Sequence, residues 1–153
     1  MVKVIVLAAL AALHTHPAAA LDPPPGREIE ARMDDLMRQL AICESGGSGN
    51  SDRPIHGAGG IHAGRFQFTI RTVVSYVRDR DGHVLSANDA LSLAQDYDRA
   101  AALAKYMIFE RGHFWNWPAC SRKLGLARHV TEIKAVTAKR ADVLARKGEP
   151  AGD

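Results

Sequence analysis

The sequence predicts a small, mainly helical domain with a minor β element and one disulfide. Apolar residues recur at three- and four-residue steps through most of the chain after residue 27, which is the spacing of amphipathic helices. A single short stretch, Arg65-Phe66-Gln67-Phe68, alternates polar and apolar residues in the manner of a half-buried strand. The length of 153 residues, 46% of them hydrophobic, suits one domain with a core of ordinary size.

Taken in order, the first twenty residues are expected to lie outside that core. Lys3 gives a positive start, Val4 to Leu13 is an unbroken apolar run, and Ala18-Ala19-Ala20 offers small residues for cleavage. The run is too short to span a bilayer as a helix. Residues 1–20 therefore read as a secretory signal peptide, which predicts a secreted or periplasmic protein with no stable membrane insertion after cleavage. An uncleaved tether or a buried amino-terminal helix is the alternative. Residues 21–26, with three consecutive prolines, read as a stiff linker.

A first helix is predicted from about Arg27 to Glu44, on the stripe Ile29, Met33, Leu36, Leu40 and Cys43. Ser45-Gly46-Gly47 ends it, because glycine takes the left-handed conformation that closes a helix at little cost. Gly46 to Gly64, rich in Gly, Ser and Asn, is expected to be loop and turn, followed by the short strand at 65–68. Thr69 can cap a second helix with the stripe Ile70, Val73, Val74 and Val77, broken between Asp79 and His83. Ser86 with Asp89 makes a capping arrangement for the next helical stretch. That stretch runs through Leu91, Ala94, Ala101, Leu103, Ala104, Met107 and Ile108, bends between Gln95 and Asp98, and stops at Gly112. His113 to Cys120 is a compact aromatic segment holding both tryptophans. A last helix from about Ala127 to Lys147 has only the thin stripe Val130, Ile133 and Leu144, and is expected to dock loosely. The domain proper is thus expected to span 27–126, with 127–153 as a terminal helix and tail.

Glu44 falls on or beside the stripe of the first helix, at its last turn. Burial and the negative end of the helix dipole both disfavour its ionised form, so both should raise its pKa. A carboxyl that keeps its proton near neutral pH is what a general acid requires. The plain alternative is a helix-end residue satisfied by backbone amides. Cys43, next to it, and Cys120 are the only cysteines, and an exported chain favours joining them. Such a bridge would stabilise the fold by ~4–5 kcal/mol on loop-closure entropy, as an upper figure, and two buried free thiols are the alternative. Two cysteines exclude a cysteine-ligated metal site of the usual kind.

The net charge of +3 and isoelectric point near 9.1 are mild. Basic residues at Arg122-Lys123 and from Lys134 to Lys147 lack aromatic interleaving, so a nucleic-acid partner is not expected. An anionic polymer of the cell envelope would suit the charge, although most such charge is a solvated face.

Cys43-Glu44-Ser45-Gly46-Gly47, Gly64-Arg65-Phe66-Gln67-Phe68 and Trp117-Pro118-Ala119-Cys120, in this order, resemble the catalytic domain of resuscitation-promoting factors. More widely they resemble the lysozyme-like fold of soluble lytic transglycosylases. The resemblance covers about Leu36 to Gly125. It implies cleavage of the β-1,4 bond between N-acetylmuramic acid and N-acetylglucosamine in peptidoglycan by a monomer that needs no cofactor or metal. By motif, Glu44 would be the single catalytic carboxyl, Gln67 a cleft residue, and Cys43–Cys120 the family's disulfide. The family's Asn-Trp pair after the glycines is replaced here by Ser48-Gly49-Asn50-Ser51, and the loop from Asp52 to His62 is longer. Phe66, Trp115 or Trp117 would then supply the sugar-stacking surface, with one of the tryptophans expected in the core.

Glycoside hydrolysis usually employs two carboxylates, and Asp52 is the nearest second candidate, which would make the chain a hydrolytic lysozyme. Two further classes compete. One is a metal-binding module using His56, His62 and His113, whose spacing fits no helical ligand pair. The other is a wall-binding or assembly protein that keeps the groove without turnover.

Overall fold

A computed structural model describes residues 25–47 and 54–148. The expected signal peptide, the linker up to Pro24, Asp52 and the last five residues lie outside the described residues. Helix α1 spans Pro25–Ser45, beginning two residues before the expected start because proline is well suited to a helix's first turn. It buries Leu36, Met37, Leu40 and Ala41. The Gly47 amide donates to the Ile42 carbonyl at 2.9 Å where the helix closes.

Three two-residue strands follow: β1 His56–Gly57, β2 His62–Ala63 and β3 Phe68–Thr69. They pair antiparallel in the order β1-β2-β3, with His56 opposite Ala63, Gly57 opposite His62, His62 opposite Thr69 and Ala63 opposite Phe68. Here the sequence reading is corrected twice. The stretch expected to be loop holds two strands, and residues 65–67 of the expected strand form a turn. Strands of two residues are too short to leave a period-two pattern. The alternation at Arg65–Phe68 arises because Phe66 and Phe68 are both buried, one from a turn and one from a strand.

Helix α2, Ile70–Asp81, starts where the Thr69 hydroxyl accepts from the Thr72 amide at 3.1 Å, and it buries Val73 and Val77. Helix α3, Ala87–Gln95, is capped by Ser86, whose hydroxyl accepts from the Asp89 amide. The expected bend is a full break, since Asp96 caps a new helix α4, Tyr97–Lys105, by accepting from the Arg99 amide. A wide π-helical turn, Tyr106–Glu110, then buries Met107, Ile108 and Phe109 in succession. A tight turn at Phe114–Asn116 leads into α5, Pro118–Leu124, and α6, Leu126–Gly148.

Helix α1 packs against α4, α5 and α6, while α2 packs on α3 and α4. The core lies between these layers. The Cys43–Cys120 disulfide ties the last turn of α1 to α5. Leu126, Val130 and Ile133 of α6 are buried, so its first turns belong to the core. Leu144, expected in the same stripe, is 58% exposed, because the helix has by then run past what it packs on. Among the described residues no helix is long and apolar enough to cross a membrane.

Candidate functional site

Glu44 sits at the second-last position of α1, beside the disulfide cysteine, and is half-buried. Burial raises its carboxyl above the ordinary value, and electrostatic attraction from His62 on β2 lowers it in part. The cause anticipated from the helix stripe therefore acts, with a strand histidine as its counterweight. The β element that carries His62 is held by side chains from elsewhere. Gln95, at the end of α3, clasps Ile55: its Oε1 accepts from the Ile55 amide and its Nε2 donates to the Ile55 carbonyl, both at 2.9 Å. Gly64 allows the turn to press onto the same helix end, since a methyl group there would come within 1.7 Å of the Ala94 carbonyl oxygen.

Gln67 adopts a left-handed backbone, φ 51°, which is uncommon for a residue with a side chain. Its amide and its Nε2 both donate to the Gly64 carbonyl, at 3.1 and 2.8 Å. Its Oε1 lies over Gly57, where a Cβ would stand 1.7 Å away. The side chain is thus folded onto its own turn, half-buried beside β1.

The aromatic residues separate cleanly. Phe66 is fully buried and Trp117 is 3% exposed, so neither offers a ring face to a ligand: both are removed as candidates for the stacking surface, and Trp117 is the tryptophan expected in the core. Their rings pack with Phe68 and Tyr97, and the Trp117 Nε1 donates to the Phe66 carbonyl at 2.8 Å. That bond and the packing consume the apolar faces. Trp115 is 60% exposed, its ring centred 4.1 Å from that of His113.

His113 is itself held. The Tyr76 hydroxyl and His113 Nδ1 are hydrogen-bonded at 2.6 Å, and the Asn116 side-chain amide donates to the His113 carbonyl at 2.8 Å. Next to them Asp79 accepts from the Tyr106 hydroxyl at 2.8 Å and pairs with Arg111 Nε at 3.1 Å. Ser75, Tyr76, Arg78, Asp79, Arg111 and His113 line a cleft of about 500 Å³. His62 pairs with Thr69, whose hydroxyl meets that of Thr72 at 2.8 Å. Thr72, Tyr76 and Asp79 then share one helix face by their spacing.

Sequence reasoning missed Tyr76, Asp79 and Arg111. The separation of Tyr76 and Asp79 marks a common face, but nothing in the sequence brings Arg111 to it. The π turn does so. Asp52 lies outside the described residues. His56 and His62 occupy neighbouring strands and His113 is bonded to Tyr76, and among the described residues no three His, Cys, Asp or Glu side chains gather as a metal set. Two other clefts have volumes of about 700 and 550 Å³, and neither Glu44 nor Gln67 lines any of these three clefts. The larger is crossed by Lys105, ion-paired to Asp34 and Glu30.

Compared with protein-family models, curated proteins and solved structures, the chain finds no match in any of the three.

Proposed function

We propose that the protein is an exported enzyme that cleaves peptidoglycan glycan strands, with Glu44 as the single general acid and base. The carrying observation is a glutamic acid at a helix end whose carboxyl is desolvated enough to hold its proton above the ordinary range. The motif resemblance supplies the substrate: the bond between N-acetylmuramic acid and N-acetylglucosamine. In this reading Glu44 donates its proton to the leaving glycosidic oxygen as the bond to the muramic-acid C1 breaks. The substrate's N-acetyl oxygen shares the positive charge that develops at C1. Glu44, now ionised, removes the proton from the sugar's own C6 hydroxyl, whose oxygen closes on C1 to give a 1,6-anhydro end. No second carboxyl and no water are consumed.

Two features of the fold support this role. The disulfide restrains the helix end that carries Glu44, and the Gln95 clasp restrains Ile55 at the entry to β1, which favours a fixed reacting geometry. The exposed Trp115 offers a surface on which a sugar can rest. Glu44→Gln removes the transferable proton without changing the side chain's shape. Clearing of purified sacculi is expected to fall by at least ~10²-fold, the lower end for loss of a general acid. Unchanged clearing would overturn the reading. Mass spectrometry of the released fragments then reads the product: an anhydro end fits the single-carboxyl route, whereas a hydrated reducing end assigns hydrolysis.

A further inference from the structure

We infer that the outer end of α6 is a docking surface for an anionic lipid bilayer, lying flat on it with Val136, Val143 and Leu144 among the headgroups and Lys139 and Arg146 on the phosphates. The inference takes from the proposed function only that the chain is exported, and it stands apart from the chemistry at Glu44.

Helix α6 divides at Ile133. Leu126, Val130 and Ile133 are buried, whereas from Lys134 to Arg146 every residue is exposed except Arg140, which is half-buried over Gly26. Three of the exposed side chains are large and apolar: Val136, Val143 and Leu144, each between 44% and 58% exposed. On the helical spacing Val136 and Val143 stand nearly in line, about two turns apart. Lys139 and Arg146 run along one side of them, with Arg140 and Leu144 along the other. A different side of the helix belongs to the groove against α1, which Lys134, Thr137, Ala138 and Ala141 line.

The charge on this stretch is lopsided. From Lys134 to Arg146 the helix carries four basic residues and one acidic residue, Asp142. Arg146 pairs with Asp142 at 2.9 Å, but both are well exposed, and such a pair is weak enough to yield to a stronger partner. Glu132, one turn before Val136, is already met by Arg32 at 3.5 Å and His129 at 3.6 Å. A soluble anionic polymer would engage the cations but leave the valines and the leucine in water. A second copy would bring two cationic faces together, which like-charge repulsion opposes. A bilayer with anionic headgroups uses both kinds of side chain at once. The apolar ones enter the boundary between headgroups and acyl chains, and the cations meet the phosphates. No helix among the described residues is long and apolar enough to cross the bilayer, so the contact lies in the plane of its surface.

The test uses the exported chain after loss of its leader, which keeps every described residue and removes the apolar run that would itself bind lipid. Co-sedimentation is measured with vesicles of phosphatidylcholine alone and of phosphatidylcholine and phosphatidylglycerol in equal parts. Binding to the mixed vesicles is expected to be at least ~tenfold tighter and to weaken as salt is added. Lys139→Gln with Arg146→Gln should remove the preference. Val136→Ser, Val143→Ser and Leu144→Ser together keep the charge, and should still lower affinity for the mixed vesicles by about tenfold. All these positions are exposed, so both variants should melt close to the parent, which verifies that they are folded. Equal binding to the two kinds of vesicle, or a serine variant that binds as the parent does, overturns the inference. Soluble polyphosphate bound as tightly as the mixed vesicles, and unaffected by the serine changes, assigns the patch to a polymer and overturns it too. Self-association that the serine changes abolish assigns it to a second copy, with the same consequence. Clearing of sacculi in suspension, where no lipid is present, is read separately: vesicle preference without clearing removes the enzyme and keeps the docking surface, and clearing without vesicle preference does the reverse.

Discussion

The two longest helices, α1 and α6, run to 21 and 23 residues, and both are amphipathic by sequence, yet they end differently. Toward its end α1 buries Leu36, Met37, Leu40 and Ala41, and then meets α5 through the disulfide. Helix α6 buries Leu126, Val130 and Ile133 and then leaves the core. It passes the first turn of α1 near Gly26, where Arg140 lies across the glycine, and beyond that point Val143 and Leu144 are exposed. One helix is held most firmly where it stops, the other where it starts. The last turn of α1 therefore ties the backbone next to Glu44 through the disulfide and partly screens its carboxyl from water.

Breaking this contrast should cost most in the middle of the buried stripe. Leu40 is fully buried, so Leu40→Ala is expected to destabilise by about 2–5 kcal/mol, through lost burial and the cavity left behind. Leu144→Ala, the same change on the exposed end of α6, should stay within about 0.5 kcal/mol. Chemical denaturation of the two variants compares them directly, and similar losses would erase the distinction.

Replacing Cys43 and Cys120 together by alanine tests the clamp. A loss of about 2–4 kcal/mol is expected, with a larger relative fall in sacculus clearing than in folded population at 25 °C. Clearing that merely follows the folded fraction would mean that the bridge serves stability alone.

The smallest effect sharpens the assignment of Glu44. Its folded pKa is raised by burial, so the stability this residue contributes is present below the unfolded pKa and is lost as pH rises through the folded one. Glu44→Gln stays neutral throughout. The variant should therefore melt slightly higher than the parent near neutral pH, by no more than a few degrees given the partial exposure, and equally below the ordinary glutamate range. A variant that melts lower at neutral pH would show that the ionised carboxyl is stabilised rather than desolvated.

Much of this was fixed by local pattern. The α1 stripe and the caps at Thr69 and Ser86 depend on spacing along the chain, and each is recognisable without knowing what packs against it, whereas the Asp96 cap that turns the expected bend into a break was not read. The seat of Glu44 is recognisable too, because a carboxyl in step with a buried stripe at a helix end has few places to go. The three short strands were not legible, since two residues cannot display a period and their pairing rests on the Gln95 clasp from 40 positions away. Composition could place one tryptophan inside and one outside, but not choose between them. That choice followed from the hydrogen bond of Trp117 to Phe66 across 51 positions, a contact that only the folded chain can make. The meeting of Tyr76, Asp79, Arg111 and His113 has the same origin. Charge and hydrogen-bonding capacity are written residue by residue, but a cleft exists only when distant segments are brought to one side of the core.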